Sequence, residues 1–269
     1  LREEGCNSDR EMSAPFYMVG FDVADVTVTD LIDGNATLDS FQGLVFAGGF
    51  SYSDVFGSAR GWAAELKFNS DIAAQMARFR ARSDTFALGC CNGCQLMTLL
   101  GWVGGTTDGA TTSTPQQGTM LAPNLSGRFE CRFVTVKIPQ NTPAIMLEGM
   151  QGSVMGVWAV HGEGRFEVIN EQVKNRLVQK NLVSLLYLDD EGSPTTTYPM
   201  NPNGSKDGLA GICSEDGRFL AMMPHPDRAA FSWQLPYLPK DMAYLRESQV
   251  SHWAKLFENA YKWCRKVKQ

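Results

Sequence analysis

No run of apolar residues in this chain is long enough to span a membrane, and no cluster of Lys or Arg offers a footprint for nucleic acid. Neither a membrane nor a nucleic acid is therefore expected as a partner. The phosphate-cradling pattern G-x-x-x-x-G-K-[ST] is absent, and the glycine-rich stretch 101–109 does not form one, so no phosphate loop is expected in this chain. Cysteine lacks the paired clusters that structural zinc needs, because Cys6, Cys131, Cys213 and Cys264 stand singly; no metal is expected. Histidine is scarce, with only His161, His225 and His252. The first residues carry no initiator methionine, no apolar signal region and no transit-peptide character, and they read as a cut inside a longer polypeptide.

What is present fits a globular protein. With 269 residues, 43% of them hydrophobic and 20% charged, the chain can bury a sizeable core as one large domain or two small ones. Seven cysteines is an odd number, and three of them crowd into one turn. Thiols that act singly point to a reducing compartment, with the cytosol as the default.

That turn organises the rest. Residues 85–88 are short and apolar enough for a buried strand, and Leu96, Met97, Leu99 and Leu100 fall at the spacing of a helix buried on one side. Between them Gly89, Cys91 and Gly93 form G-x-C-x-G, the thiol counterpart of the nucleophile elbow that lifts one side chain clear of a sheet. A helix N-terminus favours negative charge, so a cysteine there is expected to fall below the free thiol's pKa of about 8.5. The N–H of Asn92, just beyond, would point at an oxyanion formed on an attacked carbonyl. Two blander readings compete. Cysteine is often a buried small hydrophobe, which suits Cys90, and Cys91 with Cys94 forms the C-x-x-C of a dithiol oxidoreductase.

The surrounding pattern is that of an α/β chain. Ser8 and Glu11 stand at capping-box spacing for a first helix running to about Val19. A strand is expected over residues 21–28 and another over 43–47, the latter closed by Gly48-Gly49 and a loop that permits close backbone approach. Helices follow through Trp62 to Phe68 and from Ser70. Residues 101–123 read as a long connection whose stretch 111–115 is a solvated loop. Strands are expected over 130–138, 154–160, 165–169 and 182–188, with a helix over 170–181. Residues 209–213 and 218–223 read as a hairpin, and an amphipathic helix begins near Asp241 and contains His252.

A thiolate that attacks a carbonyl needs a base with a pKa near the working pH. His225 suits this best: it follows an apolar strand, is fixed between Pro224 and Pro226, and has Asp227 two residues on, where a carboxylate could hold the far ring nitrogen. His161, among glycines, suits substrate contact or a plain turn, and His252 reads as a surface residue.

Taken together, L-G-C-C-N-G-C-Q (88–95), G-G-F-S-Y (48–52), H-G-E-G-R (161–165), N-P-N-G-S (201–205) and M-P-H-P (223–226) resemble the glutaminase domain of the phosphoribosylformylglycinamidine synthases, a branch of the class I glutamine amidotransferases. The likeness covers nearly the whole chain and is closest to the large single-polypeptide form. It implies a three-layer, flavodoxin-like α/β fold with a mostly parallel sheet, one glutaminase domain over residues 1–269 at the C-terminal end of a longer polypeptide, and a first strand immediately before Leu1. It implies Cys91 as nucleophile, His225 as base and the residue at 227 as its orienter, with oxyanion donors from Gly49, Phe50 and Asn92. Gln95 and His161 would hold the glutamine. No cofactor is implied in this domain; ATP and Mg would serve the synthetase domain, in the same polypeptide or a partner subunit, that receives the ammonia. Two departures stand out. The family has His-Pro-Glu where this chain has Asp227, leaving Glu163 as a fallback carboxylate, and it commonly has glycine where Ser53 stands. A non-catalytic interaction domain, with Asp227 as a sign of decay, is the third reading beside amidotransferase and oxidoreductase.

Overall fold

The computed structural model describes residues 1–105 and 116–267; the threonine-rich stretch 111–115 lies outside the described residues. Helices α1 (Asp9–Met18) and α2 (Val28–Ile32) precede strand β1 (Gly43–Phe46). Helices α3 (Arg60–Phe68) and α4 (Ser70–Ala81) then return the chain to β2 (Phe86–Cys90), which runs into α5 (Asn92–Leu99). Next come β3 (Thr119–Ala122), β4 (Glu130–Lys137), β5 (Val154–His161) and β6 (Arg165–Val168). Helix α6 (Glu171–Gln179), strands β7 (Val183–Tyr187), β8 (Leu209–Cys213), β9 (Phe219–Met222) and the two-residue β10 (Pro224–His225) follow, before α7 (Tyr244–Ser248) and α8 (Ala254–Val267).

Among the described residues one eight-stranded sheet runs in the order β1-β2-β9-β8-β7-β4-β5-β10, and β3 pairs with β6 alone. Parallel pairing joins β1, β2 and β9, the strands nearest Cys91, while the other neighbours pair antiparallel. Alternation along β2 builds the layers, because successive side chains leave opposite faces of a strand. Phe86 meets Phe16 of α1 and Trp263 of α8. On the other face, a Cβ at Gly89 would lie 2.5 Å from the carbonyl oxygen of Gly93 in α5. Helices thus cover both faces at this point, and β2 is buried throughout. None of the described helices is long and apolar enough to cross a membrane.

Several local expectations are corrected. Residues 21–28 form no strand: Thr27 accepts from the Asp30 N–H and Asp30 accepts from the Thr27 N–H, a reciprocal cap that starts α2. Ser8 precedes α1 but caps nothing there; its Oγ accepts instead from the Gly48 N–H at 2.6 Å. The connection 101–123 contains a strand, β3, whose partner β6 is remote in sequence, so local pattern gave no warning of it. The last helix is two, and His252 lies in the turn between them, where it shares a hydrogen bond with the Tyr244 hydroxyl at 2.7 Å.

Candidate active site

At the junction of β2 and α5 the backbone of Cys91 takes φ 53° and ψ −109°, a region that costs a non-glycine residue of order 1–3 kcal/mol. Neighbouring glycines make that bend possible. A Cβ at Gly93 would sit 2.1 Å from the carbonyl oxygen of Phe46, so only glycine lets α5 approach β1 this closely. The Cys91 N–H is held by the carbonyl of Met222 at 3.0 Å, and its thiol donates to the carbonyl oxygen of Val160 at 3.3 Å. Cys91 is 7% exposed, whereas Cys90 and Cys94 are wholly buried, and burial pushes both of their thiols up. Cys94 is therefore a poor partner for dithiol exchange.

His225 arrives on β10, paired with Trp158 of β5. Asp227 follows in a short turn opened by Pro226, and its two carboxylate oxygens lie 3.2 and 3.4 Å from Nδ1 of His225. Both residues are fully buried. Burial alone would strip the proton from His225, but the charge and hydrogen bond of Asp227, together with the adjacent Cys91 thiol, outweigh it and raise the ring to about 9. Its Nε2 is buried without a hydrogen-bond partner. Gly48 borders the ring: a Cβ there would lie 3.1 Å from Cε1 of His225 and 3.1 Å from Oγ of Ser8.

Polar side chains lock the neighbouring loops to the elbow. Oδ1 of Asn92 accepts from the Ser51 N–H at 3.3 Å, and its Nδ2 donates to Asp54 at 3.4 Å and to Oε1 of Gln95 at 2.9 Å. Gln95 in turn donates to the carbonyl of Glu163 at 2.6 Å, and the Glu163 carboxylate accepts from the Ser58 N–H at 3.2 Å. Glu163 thus serves the loop rather than His225. Both ends of the Gln95 amide are engaged within the protein. The loop held in this way contains Tyr52, Ser53 and Asp54 in succession with positive φ, including the serine that stands where glycine is common.

The N–H of Phe50, one expected oxyanion donor, donates to the carbonyl of Gly5 at 2.9 Å, beside the antiparallel bridge between Cys6 and Gly49. Gly49 takes φ 135°, and Asn92 opens the first turn of α5 directly after Cys91. His161 ends β5, buried, with Nε2 3.5 Å from Nδ2 of Asn203.

The site therefore unites Cys91, His225 and Asp227 with backbone from two glycine-containing loops. A family described as the CobB/CobQ-like glutamine amidotransferase domain matches residues 1–264. The chain belongs to this family. Its relatives include the probable phosphoribosylformylglycinamidine synthase, chloroplastic/mitochondrial, of Arabidopsis thaliana, 52% identical over 263 residues that make up 98% of this chain and 18% of the relative. Phosphoribosylformylglycinamidine synthase of Drosophila melanogaster is 49% identical over 269 residues, 100% of this chain and 20% of the relative. The chain thus spans about a fifth of the length of these relatives. The structure of PurLQS from Thermotoga maritima shares the fold, with a TM-score of 0.66 at 22% identity over 99% of this chain and 96% of that one.

Membership leaves the dithiol reading without support, and the buried Cys94 agrees. In this amidotransferase domain several site-shaping residues escaped sequence reasoning. Ser8 holds Gly48, Val160 holds the thiol, and Gln234 donates to the backbone carbonyl of Asp227 at 3.0 Å. None carries a local signal. Asn203 and Ser205 lie within the N-P-N-G-S stretch, which marked a likeness but suggested no role.

Proposed function

We propose that residues 1–269 are a glutaminase domain in which Cys91 is the nucleophile, His225 the general base and acid, and Asp227 the group that orients the ring. The observation that carries this reading is the pairing of a thiol on a strained residue at the start of α5 with a buried imidazole whose Nδ1 is held by a carboxylate, leaving Nε2 to face the reaction. Asp227 is one methylene shorter than the family's glutamate, yet its 3.2 Å approach supports the same role.

In the reaction so read, His225 in its neutral form removes the Cys91 proton as sulfur attacks the side-chain amide carbon of glutamine. The N–H groups of Asn92 and Gly49 stabilise the oxyanion. Collapse breaks the C–N bond, His225 gives its proton to the leaving nitrogen, and ammonia departs from a γ-glutamyl thioester. Water, deprotonated by His225, then releases glutamate and restores the thiol. Gln95 acts on glutamine indirectly, by holding the Glu163 loop, and His161 borders the substrate.

The names of the relatives, and the four-fifths of their length that this chain does not span, support a further step. The ammonia passes to a synthetase domain, in the same polypeptide or a partner subunit, that uses ATP and Mg to convert formylglycinamide ribonucleotide to formylglycinamidine ribonucleotide, ADP and phosphate. The cytosol is the proposed compartment.

Mass spectrometry of the protein after incubation with diazo-oxo-norleucine tests the assignment directly. A single adduct on Cys91 is expected, and labelling elsewhere, or none, would overturn it.

A further inference from the structure

The N-P-N-G-S stretch folds into a buried polar knot beside the site. Asn201, Asn203 and Ser205 are all at most 1% exposed. Oγ of Ser205 accepts from the Phe166 N–H at 2.9 Å, which leaves its own proton for Oδ1 of Asn203 at 2.7 Å; the Ser205 N–H reaches the same oxygen at 3.0 Å. Two donors on one atom identify that atom as the amide oxygen. The amide nitrogen must then be the end that faces the Tyr187 hydroxyl at 3.3 Å and Nε2 of His161 at 3.5 Å.

An N–H aimed at Nε2 requires a lone pair there, so the remaining proton of a neutral His161 ring sits on Nδ1. Nδ1 is buried with no hydrogen-bond partner, and Gly164 packs so closely that a Cβ would lie 2.5 Å from it, so the tautomer is set at the Nε2 end. The ionisable groups around the ring are Glu130 on β4, which pairs with His161 across the sheet, Tyr187 on β7 and His225 on β10. Burial first, and the charge of His225 second, hold His161 down at about 4 against the weaker pull of Glu130.

We propose that Asn203 is a positioning residue that locks His161 in its neutral, Nδ1-protonated tautomer, leaving His225 as the one imidazole in the site that carries the proton taken from Cys91. The proposal rests on the reading of Cys91 and His225 as nucleophile and base. Two adjacent imidazolium ions would repel, so a His161 free to take a proton would weaken the hold of His225 on its own.

Nitrogen-15 NMR of the intact chain labelled at histidine tests it, since three rings are readily resolved and the two neutral tautomers differ in spectrum. Wild-type His161 is expected neutral and protonated on Nδ1 from about pH 5 upward. In Asn203→Asp a carboxylate oxygen replaces the amide nitrogen and demands a proton on Nε2; the tautomer should switch and the titration midpoint climb by about 1–3 pH units. Glutamine turnover in that variant should fall about tenfold or more. A wild-type ring protonated on Nε2, or one titrating near the ordinary 6.5, overturns the lock even if the variant fails to fold. Unchanged turnover in an Asn203→Asp chain whose tautomer has switched overturns the positioning role. The expected spectrum in a wild-type chain that turns over no glutamine sustains the lock and overturns the glutaminase reading instead.

Discussion

The thiol of Cys91 donates to the carbonyl of Val160 at 3.3 Å, while Nε2 of His225, beside it, has no hydrogen-bond partner. The thiol proton is thus directed at the backbone of β5, and rotation of one side chain would bring it to the ring in its neutral form.

Replacement of Cys91 by serine removes the thiol while preserving the turn. Glutamine-dependent synthesis by the proposed full-length synthetase should be abolished, and ammonia-dependent synthesis should continue. Parallel assays with glutamine and with ammonium salts check this; full glutaminase activity in the variant would rule the nucleophile out.

Asp227 sets a pH dependence whose sign follows from the raised ring. His225 binds its proton more tightly folded than unfolded, with values of about 9 against 6.5. Its contribution to stability is therefore complete below about pH 6.5 and is lost as pH rises through about 9. Asp227→Asn should flatten that decline in urea unfolding measured across this window. The same variant should lose about 10²–10⁴-fold in glutamine turnover, the range by which a positioned base contributes.

Ser53 sits at φ 55° in a run of three left-handed residues. A side chain there costs roughly 1–2 kcal/mol that glycine avoids, partly offset by the entropy glycine loses on folding. Ser53→Gly should stabilise the chain by about 0.5–1 kcal/mol in urea unfolding, and a loss of stability would show that the serine makes a compensating contact.

Gly93 faces a harder limit, since a Cβ would fall 2.1 Å from the Phe46 carbonyl. Gly93→Ala should destabilise by about 1–3 kcal/mol or more, because α5 has to move away from β1. Glutamine turnover should drop with it, as the same shift displaces Cys91. Unfolding and rate measurements on one preparation test both effects.

The elbow was legible in the sequence because every constraint on it is local. An apolar strand, two glycines around a cysteine and a helical repeat fall within sixteen residues, and sterics leave them few alternatives. His225 could be chosen because only three histidines exist and one is clamped between prolines ahead of a carboxylate. The strand expected at 21–28 failed because two local signals competed: β-branched residues there matched strand propensity, but the Thr27–Asp30 cap started a helix.

By itself, then, the sequence determined which residue types could do the chemistry and the turn that carries the thiol, since those depend on neighbours a few positions apart. Tertiary structure alone decided that the shorter Asp227 reaches His225, that Phe50 spends its N–H on Gly5, and that Asn203 holds His161. These are meetings of groups remote along the chain or finely dependent on backbone angle. A hydrogen bond depends on tenths of an ångström, which no spacing in sequence can specify.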